Sequence, residues 1–519
     1  MKKLFTSALL VLSALTMQAK DYSGNLHISV PDMNAEVDQA TSVTVNNQGD
    51  GKYELIIKDF NFDGMEVGTI DVKDVNSQEK NGYITLSYNG TTTILPNSQG
   101  GGDLQCSPVN LNVNAKMTDN ELYTHIVINA LGMDIAVSLT PNGKVMQIPN
   151  SDFEKFHTAE FSSWGTSYTT KEADHWHSFT SAHTTSAFLN SARRQKQSFE
   201  STDIREGANG TKCLLIKSAL PISTQPANGT VTTGRLQAGS STPKDPANHA
   251  FLNFDNKDKD DNGDPFYIEF NSTPDEIQFW ARFKQGQSNL SSKFGSVRAV
   301  ITDGTYYQDP EDKSYTNIVS VASNKTIEGT DKWQLVTANF DYETYKDNNV
   351  SPKAILVTIS TNAEPGVGSK DKNNPDYIYI DDLSLVYKAG LKSLTFKGQE
   401  LFEENKKEYE VSSTGTFNIS DINVASDGKG ADIDVSVENV DGGSKATITI
   451  TSEDWRTQNT YVLNIKGATT GIDALKNMNY KNGVQAIYNL AGQQVGSMTP
   501  GQVYIVKTTD GQTKKVIKK

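Results

Sequence analysis

The stretch Tyr377-Ile378-Tyr379-Ile380-Asp381-Asp382-Leu383-Ser384-Leu385-Val386-Tyr387 decides how the chain is read. A period of two places Tyr379, Asp381, Leu383 and Leu385 on one face and Ile378, Ile380, Asp382 and Val386 on the other, so both faces are mostly apolar. A run apolar on both faces reads as an interior strand. Two adjacent carboxylates inside it need a cation, an arginine or several donors to offset their desolvation. The alternative is a strand that ends at Asp381, with its acids solvated at the rim. We read the run as the closing strand of a large β-sandwich with a polar or ion-holding point built into it.

Working outward, 519 residues exceed what one core usually supports, so three or four domains are expected. The chain is 36% hydrophobic and 9% aromatic with 39 glycines, and almost no stretch sustains a 3.6-residue period. This is the pattern of an all-β, multidomain protein. A formal charge of -14 argues against a nucleic-acid backbone or an anionic membrane as the main partner. It suits a soluble protein able to hold hard cations.

Residues 1–19 carry a basic start (Lys2, Lys3), an apolar centre from Leu9 to Leu15 and a small residue, Ala19, before a polar continuation. That is the layout of a secretory signal peptide, and it implies a secreted or cell-surface protein. No later segment is long enough to span a bilayer as a helix. Cys106 and Cys213 fall in different expected domains, so two thiols are anticipated rather than a disulfide framework.

Between residues 20 and 145, eight short runs alternate with polar neighbours: Leu26/Ile28/Val30, Val43/Val45, Leu55/Ile57, Ile70/Val72, Ile84/Leu86, Leu111/Val113, Ile126/Ile128 and Ile135/Val137. Eight such runs suit a small up-and-down barrel, with a core filled by its own side chains. Their spacing and the turns Asn47-Gln48-Gly49-Asp50-Gly51 and Tyr88-Asn89-Gly90 resemble the calycin-like domain of secreted Bacteroidetes proteins.

Residues 146–388 hold four of the five tryptophans, Trp164, Trp176, Trp280 and Trp333. The opening Ile148-Pro149-Asn150-Ser151-Asp152-Phe153-Glu154, the run Pro274 to Lys284 and the closing strand resemble the PCMD-type carbohydrate metabolism domain of Bacteroidetes. That family has a jelly-roll β-sandwich similar to carbohydrate-binding modules. The resemblance implies contact with a glycan more than any reaction.

One loop in this region has metal-ligand spacing. Asp258, Asp260, Asn262 and Asp264 alternate around Gly263, and Glu269 stands at the twelfth position, a pattern that can wrap Ca²⁺. Pro265 and the strand-like run to Phe270 depart from it, and a solvated acidic turn is the plain alternative. A second structural Ca²⁺ position pairs Asp152 or Glu154 with Asp382, tying the first strand to the last as in jelly-roll modules of the carbohydrate-binding kind. Arginines, backbone donors or water would serve those acids equally well.

His175-Trp176-His177 is the densest aromatic and imidazole cluster. A metal there would need a third ligand, and only His157 or His183 is near in sequence, without recognised spacing. We read a loop rim, where ring faces stack on sugars and polar groups bond hydroxyls. The expected binding set is Trp164, Tyr168, His175, Trp176, His177, Tyr306 and Tyr307, with Trp280 and Trp333 read as core. Nucleophile-elbow, zinc-helix and phosphate-loop motifs are absent from the sequence. A glycosidase needs only two carboxylates ~5–9.5 Å apart, which sequence cannot locate.

Residues 389–468 alternate through Leu391-Lys392-Ser393-Leu394-Thr395-Phe396 and Tyr461-Val462-Leu463-Asn464-Ile465, and resemble the cadherin-like or immunoglobulin-like spacer sandwiches of bacterial surface proteins. Residues 469–519, with Tyr488-Asn489-Leu490-Ala491-Gly492-Gln493, Gly501 to Val506 and a lysine-rich end, are similar to Bacteroidetes C-terminal sorting domains. That likeness implies contact with secretion machinery. The expectation is a secreted glycan-binding or scaffold protein. The alternatives are a glycan-active hydrolase in the central domain and a non-glycan adhesion or structural protein.

Overall fold

A computed structural model describes residues 19–470 apart from positions 34, 63, 81, 104–106, 131, 209, 223–224, 256, 288–292 and 310–314, together with 484–489, 503–508 and 513–517. The expected signal peptide up to residue 18, Cys106 and much of the expected sorting domain lie outside the described residues. The chain forms two compact units, Met1–Tyr387 with Glu453–Thr457, and Lys388–Ser452 with Gln458–Lys519. The protein is all-β and multidomain, as its alternating pattern demands.

In the first unit, strands β1 (Lys20–Val30), β2 (Ala35–Gly49), β3 (Lys52–Phe62), β4 (Met65–Lys80), β5 (Tyr83–Thr93), β6 (Pro108–Met117), β7 (Leu122–Ala130) and β8 (Met133–Pro141) make a closed barrel in sequence order. Each of the eight alternating runs lies in one of them, because a period of two puts every second side chain inside. Leu26, Val43, Leu55, Ile70, Leu86, Leu111, Ile126 and Val137 join one buried cluster. At the seam where β1 closes on β8, Gly24 is required: a Cβ there would fall 2.3 Å from Thr140 O.

The central part follows with β9 (Phe156–Ser163), β10 (Thr166–Ala173), helix α1 (Ala187–Ala192), β11 (Ser198–Ser201), β12 (Cys213–Lys217), β13 (Ala219–Ile222), β14 (Gln225–Ala227), β15 (Thr230–Thr232), β16 (Arg235–Ala238), β17 (Asn248–Leu252), β18 (Ile268–Glu269), β19 (Glu276–Lys284), β20 (Gly295–Thr302), β21 (Tyr307–Gln308), β22 (Ile318–Ile327), β23 (Gln334–Asp341), β24 (Ala354–Ser360) and β25 (Tyr377–Val386). Ten of these strands form one sheet in the order β11-β12-β25-β19-β23-β22-β20-β24-β15, with β18 on β24. Strands β22 and β23 share only the pairs Val321↔Asp341 and Ala322↔Phe340. The sheet turns there, and Phe279 and Phe283 of β19 share one core with Val297 and Ile301 of β20.

β25 is interior, paired to β12 on one side and β19 on the other. Its two acids sit where the register slips, and Asp382 takes a left-handed φ of 45°. The opening segment lies beside it: Leu383 N donates to Ser151 O at 2.9 Å, Tyr387 OH to Met146 O at 2.7 Å, and Leu385 N to Gln147 Oε1 at 2.8 Å. Alternation along β19 buries Ile277, Phe279, Ala281 and Phe283 and turns Trp280 outward, against the expectation that it is core. Trp280 lies under the guanidinium of Arg205 at 4.9 Å, and Trp333, equally half-buried, lies 5.4 Å from that of Arg282.

The second unit pairs two sheets over their own core, which includes Leu394, Phe396, Ile448 and Leu463. One holds β26 (Leu391–Phe396), β27 (Gln399–Glu400) and β29 (Ile422–Ser426); the other holds β28 (Glu408–Phe417), β30 (Asp432–Val440), β31 (Gly443–Thr451) and β32 (Gln458–Thr470), with β28 and β32 parallel. Strands β33 (Val484–Asn489), β34 (Val503–Thr508) and β35 (Thr513–Ile517) form a three-stranded sheet.

Candidate functional site

The site begins with the outer face of β20, β22, β24 and β15. Val297, Ala299 and Ile301 of β20 enter the core with Ile355, Val357 and Ile359 of β24, so their neighbours point away from it. Toward one end these outward residues are Val300, Val321 and Leu356, and the sheet β16-β17-β21 covers them with Leu236, Ala250 and Tyr307. Toward the other end they become polar. Arg298 faces Ser323 and Thr358 across the ladder, Ser296 faces Ser360, and Ser360 faces Thr230. One set of strands thus passes from a covered apolar half to an uncovered hydroxyl-rich half.

That polar half is the floor of a cavity of about 470 Å³, within the usual range of ligand sites (~300–1,000 Å³). Gln237 and His249 stand on one wall, and Asn362 and Glu364 on the other. The second wall is held from behind: Asn228 Nδ2 donates to Asn362 O and to Glu364 O, both at 3.0 Å, and Gly366 N donates to Asn228 Oδ1 at 3.2 Å. In the floor, Arg298 Nε donates to Asp309 Oδ1 at 3.0 Å, and Tyr307 OH donates to the same oxygen at 2.8 Å. Thr358 Oγ1 lies 3.4 Å from Asp309 Oδ2. Burial and the adjacent Asp309 push the Tyr307 phenol well up, so it stays a neutral donor. The floor offers hydroxyls, one fixed ion pair and amide groups, while Phe179, Leu189, Leu236 and Pro365 add apolar surface to the lining, a mixture that suits a polyhydroxylated ring with apolar faces.

None of the seven expected binding residues lines this cavity. Trp164 is 86% exposed at the tip of the β9–β10 hairpin, and Tyr168 of the same hairpin stacks on Phe161 at 5.3 Å. Trp176 is fully buried, 5.2 Å from Phe153, and His177 and Tyr307 are buried too, which corrects the reading of these three as rim groups. Ring size explains this, since a Trp next to an interior strand fills core volume that small residues would leave empty. Tyr306 is half-exposed and donates to Gln308 Oε1 at 2.8 Å. The groove was missed because its signal is faint: Ser296-x-Arg298 and Thr358-x-Ser360 are polar positions inside strands that are otherwise apolar on both faces.

The structure joins two features that the sequence kept apart. The acidic loop packs on the histidines: His177 Nε2 lies 3.2 Å and His157 Nε2 3.4 Å from the same Asp260 Oδ2, and His175 Nδ1 lies 3.3 Å from Asp264 Oδ1. His157 Nδ1 reaches Asp174 at 3.1 Å. Burial pushes the Asp260 carboxyl up, but the His177 bond, the Asp264 backbone N–H and the two imidazoles outweigh it and hold the group below its ordinary value.

The remaining residues of the loop have partners or positions of their own. Asp258 accepts from Arg235 Nη1 at 2.9 Å, Asn262 Nδ2 donates to Asp264 at 2.9 Å, and Glu269 is exposed in β18, opposite Ala354. At the alternative position, Asp382 is bound by Arg205, while Glu154 accepts the backbone N–H groups of Thr211 and Lys212, both at 2.9 Å. Burial raises the Asp152 carboxyl. Among the described residues, no group of three or more His, Cys, Asp or Glu side chains is disposed to hold a metal ion.

Among solved structures, the chain is similar to a candidate glycoside hydrolase from Bacteroides vulgatus, at 15% identity and a TM-score of 0.30, over 46% of this chain and 97% of that one. A candidate glycoside hydrolase from Bacteroides thetaiotaomicron gives 13% identity and a TM-score of 0.31, over 59% and 87%. The M60 catalytic domain with two CBM51 domains of Clostridium perfringens ZmpB gives 10% and 0.16, over 96% and 44%. No curated protein matches the chain. Residues 19–144 match the calycin-like β-barrel domain family, in agreement with the closed eight-stranded barrel that begins at Lys20.

Proposed function

We propose that this is a secreted carbohydrate-binding or scaffold protein whose central jelly-roll sandwich contacts a glycan in the groove over Ser296, Arg298, Thr358 and Ser360. The observation that carries the reading is the change of character along β20 and β24. Residues under the small sheet are apolar, and those left uncovered in a walled cavity carry hydroxyls and a fixed Arg–Asp pair. Sugars are recognised through such fixed polar groups. In this reading the amino-terminal stretch directs export, the carboxy-terminal module engages secretion machinery, and the exposed Trp164 offers a second stacking contact.

A glycan array, followed by titration of any hit against wild type and Ala363→Trp, tests the reading. Ala363 lines the cavity wall, so an indole there fills the groove. Loss of binding in that variant is the expected result. Equal binding by both proteins would move the site elsewhere. A hydrolase reading has its own support, since Asp309 and Glu364 both line the cavity. Release of reducing ends from a bound glycan, lost in Asp309→Asn, would establish it.

A further inference from the structure

We infer, resting on the groove reading above, that the ligand is an anionic glycan, whose carboxylate or sulfate is met by Lys325. The formal charge of the chain is -14, yet the cavity is lined by Arg298, Lys325 and Lys244 against Asp309 and Glu364. Arg298 and Asp309 neutralise one another at 3.0 Å, and Lys244 and Glu364 approach to 3.9 Å. Lys325 makes no ion pair among the described residues, so one positive charge remains over. A concave cavity focuses such a charge, and it stands out most on an acidic protein.

The backbone around Lys325 is built. β22 slips register against β20 between Gly295↔Ile327 and Val297↔Asn324, so Lys325 and Thr326 share the place opposite Ser296. Such bulges re-aim a side chain, and this one is pinned. Asn324 Oδ1 accepts from Thr326 N at 2.9 Å and from Thr326 Oγ1 at 3.0 Å, while Asn324 Nδ2 donates to Thr337 O at 3.1 Å. Lys325 thereby stands opposite Ser296 in the ladder and lines the same cavity as the hydroxyls of Ser296, Ser323 and Ser360. A charged oxygen on a sugar ring would meet Lys325 while the ring hydroxyls met the serines.

Calorimetric titration with matched pairs tests this on the full chain. Tetragalacturonate against its methyl ester probes a carboxylate, and a κ-carrageenan tetrasaccharide against the same tetrasaccharide after desulfation probes a sulfate. The expected result is that at least one charged member binds about tenfold or more tightly than its neutral counterpart, and that Lys325→Gln removes the preference without moving the melting temperature. The pair that responds names the anion. Equal binding of charged and neutral members, lost in Ala363→Trp, would overturn the anionic class and leave the groove standing. Binding of no member, or binding that Ala363→Trp leaves untouched, would overturn both.

Discussion

Arg298 and Asp309 form an ion pair at 3.0 Å, 11 residues apart in sequence, and Tyr307 OH bonds both of them. The Asp309 side chain is 11% exposed, so this carboxylate cannot exchange its donors for bulk water. The pair sets the shape of the groove floor.

Arg298→Met therefore strips a buried carboxylate of its charged donor. Urea unfolding should show a loss of about 1–3 kcal/mol, with glycan binding lost as well. The double variant Arg298→Met/Asp309→Ser should recover part of the stability and none of the binding. Additive losses would mean that the two side chains do not act as a pair.

Asp381 carries a second prediction. It is almost fully buried, its Oδ2 has no hydrogen-bond partner, and burial followed by repulsion from Asp382 lifts its carboxyl from the ordinary 3.8 to about 7. An acid raised on folding costs nothing below pH 3.8, where both states are protonated. The cost grows as pH rises from there and is complete above about 7. Asp381→Asn should therefore leave stability unchanged near pH 3.5 and raise it by about 1–3 kcal/mol at pH 8, read as the difference in urea midpoint at the two pH values. A gain of equal size at both pH values would sink the assignment.

The tryptophans separate cleanly. Trp176→Ala opens a cavity in the core and should cost about 3–5 kcal/mol. Trp164→Ala at the exposed hairpin tip should stay within about 0.5 kcal/mol. Trp164 sits at a φ of 53° and Gly165 at 76°, a two-residue turn that favours Asn-Gly, so Trp164→Asn should stabilise the hairpin. Thermal denaturation of the three variants checks the order.

For the acidic loop, Asp260→Ala should lower the melting temperature by several degrees, because it removes the carboxylate that His157 and His177 share with a side chain 1% exposed. A chelator added to wild type should leave the melting curve where it is. Calcium in this loop would reveal itself by the opposite pattern, with EDTA lowering the wild-type midpoint and Asp260→Ala abolishing the effect.

Local alternation was enough to read the class of the protein and its barrel. Each pair such as Leu26/Ile28 or Ile126/Ile128 marks one strand, because a period of two is expressed within a few residues. Tyr377 to Val386 was legible as an interior strand for the same reason, and its two acids as a polar point needing a partner. That partner, Arg205, stands 177 residues from Asp382, and no local pattern could name it.

The tertiary structure alone decided the rest. Trp176, read from the sequence as a rim group, fills the core, and Trp280, read as core, faces outward, since which face is inner depends on the opposing layer. His177 meets Asp260 across 83 residues, a hydrogen bond between the imidazole cluster and the acidic loop that no local spacing announces. The groove draws Thr230, Ser296, Arg298, Thr358 and Ser360 from three strands, and it exists because the small sheet covers only one half of their outer face. Periodicity records which side chains share a face; what lies over that face is settled by contacts between residues far apart in the chain.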